Sequence, residues 1–243
     1  MTDISAAVPS QEPAEDALAF ASKLALAAVP VVGGMAAEAL AHALDTRQAQ
    51  RQHDFNRLLA RELDAVVGRL DATLTLKDVV DSDEFLAAVT RAQRTAAETA
   101  SEAKRRRLAA AVANAGSWAR FSATERAHFA RLVEEYDDLH IWLLHYFVDP
   151  RAWLEAHDML EQHANNDTST ITAPLTTALG TVHMSEPARA VADIERAGLT
   201  TGIPLTTIME AQGTISPRTN AKGRRFLAYL TEAPSRDAEP PAL

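Results

Sequence analysis

Two pairs of a carboxylate and a histidine, three positions apart, are the most metal-like feature of this chain. Glu125 and His128 form the first pair, and Asp137 and His140 form the second. Residues three apart share one face of a helix, so each pair can offer an oxygen and a nitrogen ligand together. A dinuclear site in a helical bundle needs such pairs from two helices plus two further carboxylates. Both pairs fall on one predicted helix, about 18 Å apart along its axis, so we predict solvated helix faces and no metal.

Arg151 and His157 are candidates for chemistry on a phosphate, since five residues separate them on a predicted helix. This spacing resembles the Arg-to-His motif of HEPN ribonucleases, which are all-helical and use the pair on RNA. The resemblance rests on two residues and lacks the polar residue that usually follows the arginine. Arg47 and His53 repeat the spacing. We therefore predict surface residues of amphipathic helices, and keep a helical ribonuclease centred on this pair as the third functional hypothesis.

Two clusters of cations are candidate sites for an anionic partner, either nucleic acid or lipid. They consist of Lys104, Arg105, Arg106 and Arg107 in the first cluster, and of Arg218, Lys222, Arg224 and Arg225 in the second. Cations at a helix C-terminus also complement the helix dipole. For the first cluster we predict a solvated helix face, with binding of an anionic partner as the alternative.

The composition narrows the class of protein. A net charge of −9 argues against wholesale coating of nucleic acid, and the absence of cysteine excludes disulfides and thiolate chemistry. Aromatic residues are only 5% and alanine is abundant, which favours helices over strands. The chain has no phosphate-binding loop, no dinucleotide fingerprint and no serine-hydrolase motif. We predict an all-α protein without cofactor, cytoplasmic because acidic residues replace the cationic start of a secretory signal.

An apolar segment from 17 to 44 is interrupted by a Pro-Gly break. The residues at and around the break are Leu24, Val29, Pro30, Val31, Val32, Gly33 and Gly34. The helix before Pro30 is about 20 Å long, against a hydrocarbon core of about 30 Å. We therefore predict a hairpin buried as the first pair of a helical bundle, which contacts membrane only in a triggered second state.

The remaining pattern predicts a helical bundle over 14–164. Its helices are predicted over 14–29, 35–70, from 81 onwards, 101–113, 122–148 and from 149 onwards. Asp81 with Glu84, and Ser122 with Glu125, have capping-box spacing. Gly116 is a predicted C-cap, and Asp149 is a predicted N-cap followed by Pro150. The polar segment 45–53 is expected to project from the core or cross between layers.

The C-terminal third predicts a small winged-helix-like module over 171–232. A linker at 165–170 precedes helices over 172–182 and 185–198. Two β-prone runs, Thr206–Met209 and Thr214–Ile215, flank Gly213 and predict a hairpin, after which Thr219 caps a last helix. The flanking segments 1–13 and 233–243 are predicted to be disordered.

Several segments together resemble bacterial abortive-infection alpha proteins. They are the element Ser101 to Asn114, the helix ending Asp138 to Leu144, Ala197-Gly198-Leu199, and Thr219-x-x-x-Gly223-x-x-Phe226-Leu227. The likeness is architectural and spans roughly residues 85–230. It implies a role in phage defence or a related stress response, and it carries over no catalytic residue.

Three functional hypotheses follow. The first is a non-enzymatic interaction or effector protein with a protein partner or a second copy of itself, whose apolar hairpin engages membrane when triggered. The second is a DNA-binding regulator that uses the winged-helix-like module. Its candidate recognition helix, 187–197, is neutral, whereas a helix in the major groove usually carries surplus cations. The third is the helical ribonuclease.

Overall fold

The computed structural model describes residues 34–67, 79, 81–116, 119–164 and 168–230. These residues are mainly helical with one two-stranded sheet, which confirms the all-α prediction. They fall into two compact units, one ending at Ala130 and one beginning at Arg131. The predicted boundary at 165–170 lies inside the second unit, and the division into functional domains stays a prediction. The predicted leader, the tail 233–243 and the hairpin residues Leu24 to Gly33 lie outside the described residues.

The first unit is built around three mutually packed helices. They are α1 (Gly34–Val67), α2 (Asp83–Glu98) and α3 (Glu102–Ala113). Apolar side chains at spacings of three and four bury one face of α1, namely Phe55, Leu59 and Leu63. Within the polar segment 45–53 of the same helix, residues 45–47, 50 and 53 are exposed and the other four are half-buried, so the segment projects from the core only in part.

The next helix, α4 (Ala123–Glu135), contains the boundary between the two units, which falls after Ala130. The elements of that unit are α5 (Asp138–Tyr146), α6 (Pro150–Ala156), α7 (Glu161–Ala164), β1 (Thr168–Thr170), α8 (Thr172–Leu179), α9 (Ser185–Arg196), β2 (Ile208–Glu210), α10 (Ala211–Thr214) and α11 (Ala221–Tyr229). Helix α5 buries six of its nine residues and contacts both α9 and α11. It therefore lies in the core of the unit.

Asp137 divides what we predicted as one helix over 122–148. Its carboxylate accepts a hydrogen bond from the backbone N–H of His140 at 3.1 Å, and α5 begins one residue later. An aspartate in extended conformation is among the best N-caps. The prediction of a single helix was therefore wrong, because this local cap restarts the helix.

The predicted β-hairpin was also wrong. Strand β2 pairs antiparallel with β1, so that Ser169 lies opposite Met209, and residues 168–170 are a strand rather than part of a linker. Thr214, expected in the second arm, ends α10 instead, with its hydroxyl donating to the carbonyl of Ala211 at 2.7 Å. The strand that pairs with β2 is thus far away in the sequence, and the glycine at 213, which suggested a hairpin, does not reveal it.

Helix ends differ from the predictions where a neighbouring residue caps better. Asn114, not Gly116, is the C-cap of α3, and Asn220, not Thr219, is the N-cap of α11. Helix α8 ends at Leu179 because Gly180 adopts a left-handed conformation at φ 63°, which glycine tolerates without strain. The box of Ser122 and Glu125 is confirmed, because each side chain accepts from the backbone N–H of the other residue.

The start of α2 gives a test of cap assignment. The hydroxyl of Ser82, not the carboxylate of Asp81, accepts from the N–H of Phe85 at 3.4 Å. We expect Ser82→Ala to lower the free energy of unfolding by about 1 kcal/mol. Urea denaturation measures this, with Asp81→Ala as the control at about 0.3 kcal/mol or less. A larger loss in the Asp81 variant would contradict the assignment.

Within the described residues, none of the helices combines the length and the apolar character needed to cross a membrane.

Candidate functional site

The second carboxylate–histidine pair acts as a structural link between two helices. The imidazole Nδ1 of His140 lies 2.6 Å from a carboxylate oxygen of Asp137, and Nε2 lies 3.7 Å from one of Asp193 on α9. The ring stacks on Tyr136 with centroids 4.5 Å apart, and the hydroxyl of Tyr136 donates to the backbone carbonyl of Asp193. Burial opposes ionisation of Asp137, but hydrogen bonds from His140 outweigh it and lower the pKa of that carboxyl. The cluster fastens α5 to α9.

The first pair does not come together with the second. Glu125 belongs to the capping box at the start of α4, where it accepts from the hydroxyl of Ser122 at 3.0 Å. The ring of His128 lies beside that of Phe129, with centroids 6.0 Å apart. Among the described residues, no group of three or more His, Asp or Glu side chains is placed to hold a metal ion.

Arg151 and His157 do not share a helix, because α6 ends at Ala156. Arg151 is exposed and donates to the side-chain oxygen of Gln212 at 3.0 Å. The Nδ1 of His157 lies 2.8 Å from the carbonyl of Trp153, and the two rings stack 3.7 Å apart. Since a carbonyl only accepts, Nδ1 carries the proton. The helical spacing on which the HEPN resemblance rests is thus interrupted at His157.

The first basic cluster is not a continuous exposed face. Arg105 and Arg107 are buried in the three-helix core, whereas Arg106 is exposed and pairs with Glu102 at 3.0 Å. The guanidinium of Arg105 donates to the carbonyls of Thr99 and Ala100 in the turn between α2 and α3. Two of the four cations therefore belong to the core of the first unit, and Lys104 and Arg106 are the more accessible members.

The second basic cluster is divided in the same way. Arg218 is 5% exposed, and its Nη2 donates to the carbonyl of Gly213 at 3.0 Å. Lys222, Arg224 and Arg225 are exposed on α11, a helix that has no acidic residue. We call these three residues the cationic face of α11.

Several contacts anchor the cationic face to the rest of the unit. The carboxamide of Asn220 caps α11 and also donates to the carbonyls of Gly198 and Thr200, at 2.9 and 2.8 Å. Just before it, the backbone N–H groups of Arg218 and Thr219 both donate to the carbonyl of Phe147. These bonds fix the start of α11 against the ends of α9 and α5, so the helix presents its cations from a rigid base.

Two of the cations also take part in local bonds. The ammonium of Lys222 donates to the carbonyl of Ala197 at 2.7 Å, at the C-terminus of α9, and Arg224 donates to the carbonyl of Thr219 at 2.7 Å. One carbonyl uses only part of the donor capacity of an ammonium or a guanidinium. Both side chains therefore keep N–H groups for an anionic partner.

Sequence reasoning missed a small cavity in the second unit, whose wall is mainly apolar but includes charged and polar side chains. Arg218 was expected on a basic surface, but it lines this cavity together with Glu195, Thr200 and the segment 201–205. No motif marks the cavity, because its members come from four separate stretches of chain. Comparison with protein families, curated proteins and solved structures finds no match for this chain.

Proposed function

We propose that this protein is a non-enzymatic interaction protein, and that the cationic face of α11 binds an acidic segment of a protein partner. The observation that carries the proposal is the presence of three exposed cations, and no acid, on one firmly anchored helix. Among the described residues of the second unit, acidic side chains outnumber basic ones. The face is therefore a local positive patch on an acidic surface, which gives a partner both orientation and specificity.

The candidate catalytic groups support binding over catalysis. His140 links two helices, His157 is stacked on Trp153, and Arg151 is bonded to Gln212. Each of these side chains has a structural partner that accounts for its position. The role in phage defence or stress response that the resemblance implies would use the same face to receive a partner.

Charge on α9 favours a protein partner over duplex DNA. In a winged-helix arrangement α9 is the helix expected in the major groove, and its exposed side chains include Glu186 as well as Arg189. Arg196 is paired with Asp193, and Arg218 is buried. Recognition of DNA needs surplus cations that neutralise several phosphates, whereas α9 has none in excess.

Reversing two charges on the cationic face tests the proposal. We expect the double variant Arg224→Glu, Arg225→Glu to bind a glutamate-rich peptide at least about tenfold more weakly than wild type, because attraction becomes repulsion. Fluorescence anisotropy measures the affinity, and added salt should weaken wild-type binding. Arg189→Glu, which reverses the charge of another exposed arginine on α9, is the control and should change affinity by about twofold or less.

The same assay separates the alternatives. Equal affinity of wild type and the folded double variant for the peptide would overturn the proposal. A short DNA duplex that binds wild type more tightly than the peptide, and is lost in the same variant, would replace it with the DNA-binding regulator. Circular dichroism confirms that each variant keeps its helical content.

A further inference from the structure

The cavity beside Arg218 lies within the second unit, and its lining includes none of the three cations of the cationic face of α11. Apolar and polar groups share its wall. Its lining residues are Phe147, Val191, Glu195, Thr200, Thr201, Gly202, Ile203, Leu205 and Arg218. The free space is about 210 Å³ including the part open to solvent, and the enclosed part is at the lower limit for holding one water molecule.

Arg218 brings an unusual donor set to this wall. Its side chain is only 5% exposed, and its Nε and Nη1 find no acceptor among the described residues, although Nη2 is bonded to Gly213. The hydroxyl of Thr200, also in the wall, and that of Tyr146, which is not a lining residue, are likewise buried without a partner in the described part of the chain. Buried donors of this kind are costly unless an acceptor meets them. The surroundings therefore favour an acceptor, and a negatively charged one above all.

Glu195 is the acidic residue of the wall, and it does not pair with Arg218 within 4 Å. Burial raises the pKa of its carboxyl, an effect that Arg218 opposes. Burial also lowers the pKa of the Arg218 guanidinium, while Tyr146 and Glu195 act in the opposite direction. Glu195 therefore compensates the buried guanidinium only in part.

The segment 201–205 forms the rim of the cavity and is tied down at both ends. The N–H of Thr201 donates to the carbonyl of Arg218 at 2.9 Å, and the carbonyl of Leu205 accepts from the N–H and the hydroxyl of Thr172, each at 3.1 Å. Between these anchors Gly202 adopts φ 69°, and Ile203 is 40% exposed. The rim thus offers an aliphatic surface next to the buried donors.

We propose that this cavity binds the carboxylate of a small aliphatic acid, with one carboxylate oxygen received by Arg218 and the aliphatic part resting against Val191, Ile203 and Leu205. The enclosed space admits one oxygen atom, and Glu195 disfavours a doubly charged group, so a monoanion fits better than a phosphate. Such a group is supplied either by a free short-chain acid or by the C-terminal residue of a peptide.

Titration of the full-length protein with isobutyrate, followed by two-dimensional amide NMR, tests the proposal. We expect shifts confined to the cavity residues, with a Kd of about 1 mM for so small a ligand. Isobutyramide, which has the same shape without the charge, should give no such shifts. N-acetylvaline distinguishes the sources: affinity about tenfold above that of isobutyrate indicates a peptide C-terminus, and equal or lower affinity indicates a free acid.

Variants then assign the role of each group. Arg218→Gln should abolish the shifts, and Glu195→Gln should tighten binding about fivefold, because it removes a like charge. Thr200→Val should weaken binding, and it serves where the Arg218 variant does not fold. Arg189→Gln, which alters a cation outside the wall, should bind as wild type does.

Equal binding of isobutyramide and isobutyrate would overturn the proposal. The proposal would also be overturned if isobutyrate, at concentrations far above the expected Kd, caused no shifts at the cavity residues. Unchanged affinity in both Glu195→Gln and Thr200→Val would contradict the proposal as well. None of these results bears on the cationic face of α11, since the two sites share no residue.

Discussion

Replacing Gly223 by alanine should destabilise the second unit strongly, although alanine is the better helix former. A Cβ at this position of α11 would overlap the carbonyl oxygen of Leu199 and would lie 2.7 Å from the methyl carbon of Thr219. The obstacle is backbone, which cannot rotate away. The helix would have to separate from residues 199–200, breaking the bonds that Asn220 makes there.

We expect Gly223→Ala to lower the free energy of unfolding by about 3 kcal/mol or more, as overpacking against a fixed backbone does. Helix propensity alone would raise it by about 1 kcal/mol, so the sign of the change decides between the two effects. Urea denaturation followed by circular dichroism measures it.

Gly213→Ala in α10 is the matched control. Its added Cβ would meet the thioether of Met209 at 3.0 Å, and a flexible side chain can move aside. We expect a change of about 1 kcal/mol or less. Equal losses in the two variants would show that α11 does not pack on Leu199 as closely as described.

The close approach at Gly223 also bears on function. The cations of α11 are useful to a partner only if the helix is held in place, and the glycine is what allows the helix to approach residues 199–200. Gly223→Ala should therefore weaken binding of an acidic peptide as well as stability, whereas charge reversal at Arg224 and Arg225 should weaken binding alone.

Several, though not all, of the features governed by neighbouring residues could be predicted from the sequence. The capping box of Ser122 and Glu125 and the start of α6 at Asp149 and Pro150 are local arrangements, and both are present. The apolar face of α1 follows from helical spacing in the same way. Such features depend on a few adjacent side chains, so a single sequence contains the information.

Features that depend on distant contacts could not be predicted. The strand at 168–170 exists because residues 208–210 pair with it, some forty positions later. Arg218 looked like part of a basic surface, yet it is buried beside Glu195 and Thr200. A run of cations in the sequence shows where charge lies along the chain but not the direction in which each side chain points. In both basic clusters some members are therefore buried and only the others are accessible to a partner.

Arg105 gives the sharpest test of the difference between buried and exposed members of a basic cluster, because its exposed neighbour Arg106 is a control with the same side chain. Arg105 is 7% exposed, and its Nη1 donates to the carbonyls of Thr99 and Ala100 at 3.1 and 3.2 Å. Nearby, Arg51 of α1 donates to the carbonyl of Ala97 at 3.2 Å. Arg51 thus satisfies one carbonyl in the last turn of α2, and Arg105 satisfies the carbonyls of the two residues that follow the helix.

We expect Arg105→Ala to lower the free energy of unfolding by about 3 kcal/mol, because it leaves two carbonyls of the turn without this donor and opens a cavity. Arg106→Ala removes only an exposed pair with Glu102 and should cost about 0.5 kcal/mol or less. Urea denaturation of both variants measures the difference. Helix propensity cancels between them, since both replace arginine by alanine within α3. Similar small losses in both variants would mean that the whole run is a solvated face, and would make all four cations candidates for binding an anionic partner.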